Sequence, residues 1–206
     1  MITIDLRQQF KHLYQPSAKQ FSIVDVPSLQ FLMIDGAGNP NTSQDYKDAL
    51  EGLYGLSYTL KFGVKLGKYG KQKVDYPVMA LEGLWWMDDM REFSPSRKDE
   101  WKWTAMMMQP DFLTPDLVEL ARADLIKKKN PAAASKIRFE PYHEGLSAQI
   151  MYFGPYADEG PTIQRLHEFI RESGHQLRGK HHEIYLSDPR RTAPEKLKTV
   201  IRQPMQ

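Results

Sequence analysis

Residues 181–187, HHEIYLS, decide the fold, because their alternation predicts a strand that has a counterpart earlier in the chain. In an extended strand, Glu183 and Tyr185 point to one face and Ile184 points to the other. Residues 82–85, EGLW, stand at the corresponding place in the first half of the sequence. The correspondence predicts an internal repeat.

Working outward from these two stretches, each half of the chain reads as a strand, a glycine-bearing turn, a helix and two further strands. The first half has predicted strands at 21–35, 76–87 and 101–108 and a helix that begins at 41–43. The second half has a strand or hairpin at 136–153, a helix at 158–172 and strands at 181–187 and 197–202. Thr114 and Pro115 open a further helix between the halves. We expect an α+β fold whose two units pack together around a central ligand cleft.

Composition excludes several classes of protein. The 206 residues include no cysteine, which rules out disulfides, thiolate zinc sites and thiol nucleophiles. The net charge is only +2, and positive and negative side chains are interspersed, so the sequence does not predict the positive surface that binds nucleic acid. Neither an export signal nor an apolar run long enough to cross a bilayer is visible, so we expect a cytoplasmic protein that does not bind membranes.

Two lysine clusters stand out from this even distribution. Residues 61–73 hold five lysines and no acid, and residues 127–129 are all lysine. The first cluster is interpreted as a solvated loop after a helix, with contact to an anion or an acidic partner as the alternative. The second complements the dipole at the end of the connecting helix.

Metal and cofactor motifs are missing from the sequence. Six histidines are present, but His181, His182 and Glu183 are adjacent on a strand, where neighbouring side chains diverge. Residues 36–38, GAG, lack the rest of a dinucleotide fingerprint, and no phosphate loop or serine nucleophile motif occurs. The sequence predicts neither a metal nor a cofactor.

The predicted strand at 181–187 carries the first candidate for chemistry. We expect its apolar set to face the helices, which turns Glu183 and Tyr185 toward the cleft. Burial there raises the pKa of a carboxyl group and makes Glu183 a candidate general base or a counter-charge for a cationic ligand. The alternative is an exposed glutamate on a strand. Glu82 has the same two interpretations.

All four tryptophans lie on two consecutive predicted strands, as Trp85, Trp86, Trp101 and Trp103. They can form ordinary core, because tryptophan buries a large apolar area. Since Trp85 and Trp86 point to opposite faces of one strand, one of them faces away from the helix layer and can stack on a planar or cationic ligand.

Longer stretches resemble a known family. They are VMALEGLWW (78–86), MQPDF (108–112), YFGPY (152–156), HHEIYLSDP (181–189) and KTVIRQP (198–204). They identify the chain as similar to GyrI-like small-molecule-binding domain proteins over nearly its whole length. The resemblance implies a tandem pair of strand–helix–strand–strand modules of the SHS2 type, related by a pseudo-twofold axis. It implies one domain over 1–206, with a first module at about 15–113, a connecting helix at 114–130 and a second module at about 135–206.

The resemblance also implies functions. Members serve as drug-sensing domains of transcription regulators, as inhibitors of gyrase and as hydrolases that open the ring of cyclopropane-containing alkylating natural products. In the hydrolase interpretation, Glu183 is the base, Glu82 is the second choice and Tyr185 assists. The predicted ligand-binding walls are Trp85, Trp86, Trp101, Trp103 and Tyr152.

Three functions therefore stand side by side: a detoxifying hydrolase, a sequestering or sensing module, and a partner inhibitor. About twenty residues precede the first clear strand, too few for a helix-turn-helix domain, which disfavours a self-contained regulator. The charge of +2 disfavours an acidic mimic of DNA. We expect a small aromatic or cationic organic ligand and a monomer or weak homodimer, and we favour the hydrolase.

Overall fold

The computed structural model describes residues 1–70, 72–90 and 95–206. In that part of the chain the strands are β1 (Ile2–Thr3), β2 (Ser22–Ala37), β3 (Val74–Asp75), β4 (Leu81–Trp86), β5 (Lys102–Gln109), β6 (Arg138–Phe153), β7 (His181–Tyr185) and β8 (Lys198–Pro204). The helices are α1 (Leu6–Gln9), α2 (Lys11–Tyr14), α3 (Gln44–Lys65), α4 (Pro115–Lys128) and α5 (Gly160–Glu172). Lys71 of the predicted lysine cluster and part of the predicted loop between β4 and β5 lie outside the described residues.

Six strands form a closed antiparallel barrel in the order β2-β5-β4-β7-β8-β6, and β1 and β3 form a separate parallel pair. The elements β2, α3, β4 and β5 are followed, after α4, by β6, α5, β7 and β8. The two halves meet where β4 pairs with β7, with Gly83 opposite Glu183, and where β2 pairs with β6, with Leu29 opposite Tyr142. The fold is a mixed α/β fold around this barrel.

Apolar side chains from all six strands fill a large part of the barrel interior. Phe31, Met106, Ile184 and Val200 belong to this cluster, and Leu13 of α2 packs into it. Because side chains alternate along a strand, the neighbours of these residues point outward and are covered by other elements. Every barrel strand is therefore packed on both faces over at least part of its length.

Two outer cores hold the longer helices against the barrel. Helix α3 begins after Ser43, whose hydroxyl accepts a hydrogen bond from the Tyr46 amide as the predicted N-cap. It packs with α4 on β2, β4 and β5, with Trp103 among the buried residues. Helix α5 packs on β6 and β8 through Leu166 and Ile170. Between α3 and the segment that precedes α5, the outer face of β4 and β7 lines a groove.

Several predictions are confirmed and two need correction. Residues 138–153 form one long strand, with a positive φ of 72° at Gly145. Of the two predictions for this segment, a strand or a hairpin, the strand is confirmed. The predicted strand at 76–87 is shorter, since residues 76–80 have no strand pairing. Ile184 faces the barrel interior, where it packs with residues of α1 and α2. The opposite face of β7, which was predicted to lie away from the helices, is the one toward α3.

None of the helices in residues 1–70, 72–90 and 95–206 combines the length and the apolar character needed to cross a membrane.

Candidate functional site

The open face of β7 carries Glu183 and Tyr185. On the neighbouring strand the residue opposite Glu183 is Gly83, whose lack of a side chain leaves room for an indole ring. A Cβ atom there would come 2.7 Å from the indole nitrogen of Trp85. Gly83 therefore lets Trp85 lie across β4 beside Tyr185, and these side chains form the floor of a cleft.

A chain of hydrogen bonds runs along this floor to Glu183. The Trp85 indole N–H donates to the Tyr185 hydroxyl oxygen at 3.0 Å, and that hydroxyl donates to Glu183 Oε2 at 2.7 Å. His181 Nε2 lies 3.2 Å from Glu183 Oε1. Both carboxylate oxygens thus have partners, so the orientation of Glu183 is fixed before any ligand arrives.

These partners also set the charge of Glu183. Burial raises the pKa of its carboxyl group, but hydrogen bonds from His181 and Tyr185 and the electrostatic effect of His181 outweigh burial and leave the pKa below its ordinary value. The side chain of Glu183 is 13% exposed, enough for a ligand or a water to reach it. Glu183 is therefore an accessible carboxylate at neutral pH.

A second glutamate faces the first. Glu159 immediately precedes α5, is 2% exposed and lies within hydrogen-bonding reach of Glu183. Burial and the negative charge of Glu183 raise the pKa of Glu159 to about 9. Within the described residues, its Oε1 atom has no hydrogen-bond partner. At neutral pH the two carboxyl groups share one proton and one negative charge.

Aromatic rings from three directions enclose the carboxyl pair. The ring of Tyr156 meets Tyr185 edge-on with centroids 5.4 Å apart. The ring of Tyr46, from α3, is 5.8 Å from that of Trp85, which is 5.5 Å from Trp101. All five residues line a groove of about 2350 Å³ that continues along α3. Flat aromatic molecules fit such walls because offset and edge-on ring contacts are favourable.

Four of the eight predicted site residues meet in this cleft: Glu183, Tyr185, Trp85 and Trp101. Three that sequence reasoning missed join them: Glu159, Tyr46 and Tyr156. The sequence held a partial signal, because Tyr156 ends the YFGPY stretch and Glu159 follows it directly before the Gly-Pro that opens a helix.

The other predicted aromatic residues lie elsewhere. Trp86 points to the opposite face of β4 from Trp85, and the Lys180 ammonium nitrogen lies 3.4 Å from its ring centroid. Trp103 is 1% exposed in the core beneath α3, and the hydroxyl of Tyr152 donates to the backbone oxygen of Pro155. The tryptophan on the helix side of β4 is the one in the cleft, contrary to the expectation, because the groove between α3 and the segment before α5 is on that side.

Glu82 also lies away from the cleft, in an ionic network inside the barrel. Its Oε2 is 3.0 Å from His182 Nε2, and His182 Nδ1 is 2.9 Å from Glu144 Oε1. Arg202 donates to Glu144 at 3.1 Å, and the Tyr14 hydroxyl donates to Glu82 at 2.5 Å. All five side chains are buried. The network fastens α2 to the barrel. Of its five side chains, Tyr14 lines the groove and the other four do not.

The pKa values in this network support a structural role. Burial lowers the pKa of His182, but Glu144 and Glu82 outweigh it and raise the pKa to about 9. Burial raises the pKa of Glu144, but His182 and Arg202 outweigh it and lower the pKa to about 2. These groups hold their charges across the neutral range and bind one another, so we assign them a structural role. No cluster of His, Asp or Glu suited to a metal ion occurs among the described residues.

Comparison with known proteins agrees with this architecture. The GyrI-like small molecule binding domain model matches residues 19–206. The structure is similar to that of an uncharacterized conserved protein from Listeria innocua, with 36% identity, a TM-score of 0.90 and coverage of 98% of this chain and all of the other.

Two further Listeria innocua structures, each described as a hydrolase, are 34% identical to this chain. Their TM-scores are 0.85 and 0.87, and the alignments cover 98% and 99% of this chain and all of the other chains. A comparison with functionally curated proteins gave no match. The family model, which covers the barrel and both outer cores, shows that the chain belongs to the GyrI-like small molecule binding domain family.

Proposed function

We propose that the protein is a hydrolase that detoxifies electrophilic, cyclopropane-containing aromatic compounds by adding water. The observation that carries the proposal is the accessible carboxylate of Glu183, held by hydrogen bonds at the floor of an aromatic cleft. The likeness to two structures described as hydrolases supports an enzymatic role. As part of the proposal, the two halves of the barrel are tandem modules of the SHS2 type related by a pseudo-twofold axis.

In the proposed reaction, Glu183 accepts a proton from a water molecule as the water oxygen bonds to the ring methylene. The ring carbon–carbon bond breaks, and its electron pair moves into the conjugated carbonyl group to give a phenolate. The phenolate then takes a proton from solvent at the open end of the cleft, and Glu183 releases the proton that it accepted to solvent, which restores the carboxylate. A weak base suffices because ring strain makes the methylene electrophilic, and the fixed position of Glu183 supplies proximity.

The walls of the cleft hold the flat part of the substrate. Trp85, Trp101 and Tyr156 present rings around the carboxyl pair, and Tyr46 closes the helix side. The Lys98 ammonium nitrogen lies 5.5 Å from the ring centroid of Trp101 at the rim. Stacking fixes the plane of the substrate and thereby aims its strained ring at Glu183.

The test is to incubate the purified protein with a cyclopropanoid alkylator of the duocarmycin type and to follow the products by mass spectrometry. We expect catalytic conversion to a product heavier by one water. Glu183→Gln keeps the shape of the side chain and should reduce turnover by about 100-fold to 10,000-fold with ligand binding retained.

Glu168→Gln is the matched control, since Glu168 is an exposed glutamate on α5. It should react at the rate of the parent protein. Tight binding without conversion would reject the hydrolase and leave a sequestering module. Equal turnover by Glu183→Gln and the parent protein would reject Glu183 as the base.

A further inference from the structure

The two carboxyl groups in the cleft have different surroundings, and the proposed ring opening assigns a role to Glu183 but none to Glu159. Glu183 has a hydrogen-bond partner on each oxygen, whereas Oε1 of Glu159 is buried without a partner among the described residues. They come from different elements, β7 and the turn before α5, line the same cleft and lie within hydrogen-bonding reach of each other. One group is thus prepared to accept a proton and the other to donate one.

Two neighbouring carboxyl groups are better suited to adding water to a carbonyl group than to opening a carbocycle. In a cyclopropane conjugated to a carbonyl, the attacked carbon and the oxygen that gains charge lie several bonds apart. In a simple carbonyl group they are directly bonded, so a water held by one carboxylate and a proton from its neighbour reach both atoms together. Paired carboxyl groups that share one proton act in this manner in aspartic proteases.

We propose that Glu159 and Glu183 form a general acid–base pair that also hydrolyses small aromatic esters bound in the same cleft. The inference shares the cleft of the proposed function and adds a second class of substrate. Trp85 and Tyr185 lie on the β4–β7 side of the pair, and Tyr156 lies on the α5 side. An ester with an aromatic ring on each side of its carbonyl group would place that group against the carboxyl pair.

The reaction balances without a further reactant. The water oxygen bonds to the carbonyl carbon, one water proton passes to Glu183, and the proton of Glu159 passes to the carbonyl oxygen. In the tetrahedral intermediate, one hydroxyl returns its proton to Glu159 as the carbonyl re-forms. The bond to the aryl oxygen breaks with its electron pair, and that oxygen takes the proton from Glu183. The products are a carboxylic acid and a phenol, and both glutamates return to their starting states.

The substrate for the test is phenyl benzoate, with release of phenol followed at pH 7. We expect the parent protein to hydrolyse it and Glu159→Gln and Glu183→Gln each to lose at least about 100-fold in kcat. Glu168→Gln, the exposed control on α5, should retain the parent rate. Circular dichroism and thermal unfolding establish that the variants are folded.

A single turnover in water enriched in oxygen-18 tests the direct attack of water. We expect one heavy oxygen in the benzoate product, whereas benzoate without heavy oxygen would show attack by a glutamate and overturn the proposal. The cyclopropanoid assay separates the two proposals. Ring opening without ester hydrolysis overturns only the acid–base pair, and ester hydrolysis without ring opening overturns only the cyclopropanoid function.

Discussion

Replacing Glu159 with glutamine should change how the stability of the protein depends on pH. The pKa of Glu159 is about 9 in the folded protein, because burial and Glu183 disfavour its charged form, and about 4.5 in the unfolded chain. The folded state therefore binds a proton that the unfolded state releases between these values. The stabilisation from this group is fully present below pH 4.5 and is lost as the pH rises toward 9.

The size of the effect follows from the shift. Each pH unit within this interval costs up to about 1.4 kcal/mol of unfolding free energy, so the cost grows by up to about 4 kcal/mol between pH 5 and pH 8. Glutamine cannot ionise and does not incur this cost. Glu159→Gln should therefore gain stability relative to the parent protein as the pH rises, by several kcal/mol at pH 8.

Urea unfolding of both proteins at pH 5, 6, 7 and 8 measures the difference. His182, with its pKa raised to about 9, also contributes stability that is full below pH 6.5 and is lost as the pH rises through 9. That contribution is common to the parent and the variant and cancels in the comparison. Glu168→Gln serves as the control at the exposed position on α5. Parallel curves for the parent and Glu159→Gln would refute the assignment of a buried, protonated Glu159.

Three further results are expected. Arg202→Met leaves Glu144 buried without its guanidinium partner and should lower the unfolding free energy by about 3–5 kcal/mol, measured by urea unfolding. Gly36→Ala places a Cβ atom 2.2 Å from the buried indole ring of Trp103 and should destabilise the protein by about 1–3 kcal/mol in the same assay. Trp101→Leu should weaken binding of an aromatic ligand about tenfold, measured by fluorescence titration, whereas Trp86→Leu should bind as the parent does.

Local signals in the sequence were sufficient for most of the secondary structure. Ser43 and Thr114 accept hydrogen bonds as N-caps, and Gly174, the predicted stop of α5, has a φ of +82°. These features depend on neighbours within a few residues of each other in the chain. The alternation in β7 likewise predicted that Glu183 and Tyr185 share a face, and the two side chains are hydrogen-bonded.

Long-range features were harder to predict. Alternation separates the two faces of a strand but does not tell which face lies inside a closed barrel, so it did not place Glu82 in the interior with His182. It also did not show on which side of β4 the cleft opens. The pairing of Glu159 with Glu183 depends on the packing of α5 against the barrel, which no local pattern encodes.

The two faces of β7 connect the cleft with the ionic interior of the barrel. His182 is tied to Glu82 and Glu144 on one side of the strand, and Glu183 projects from the next position on the other side. The ionic interior therefore holds the strand that carries the reactive carboxylate, and a substitution of His182 would disturb folding and chemistry together. The opposite wall, built by Tyr46 and Tyr156, contacts Trp85 and Tyr185 through aromatic rings, so the recognition of new ligands can evolve there.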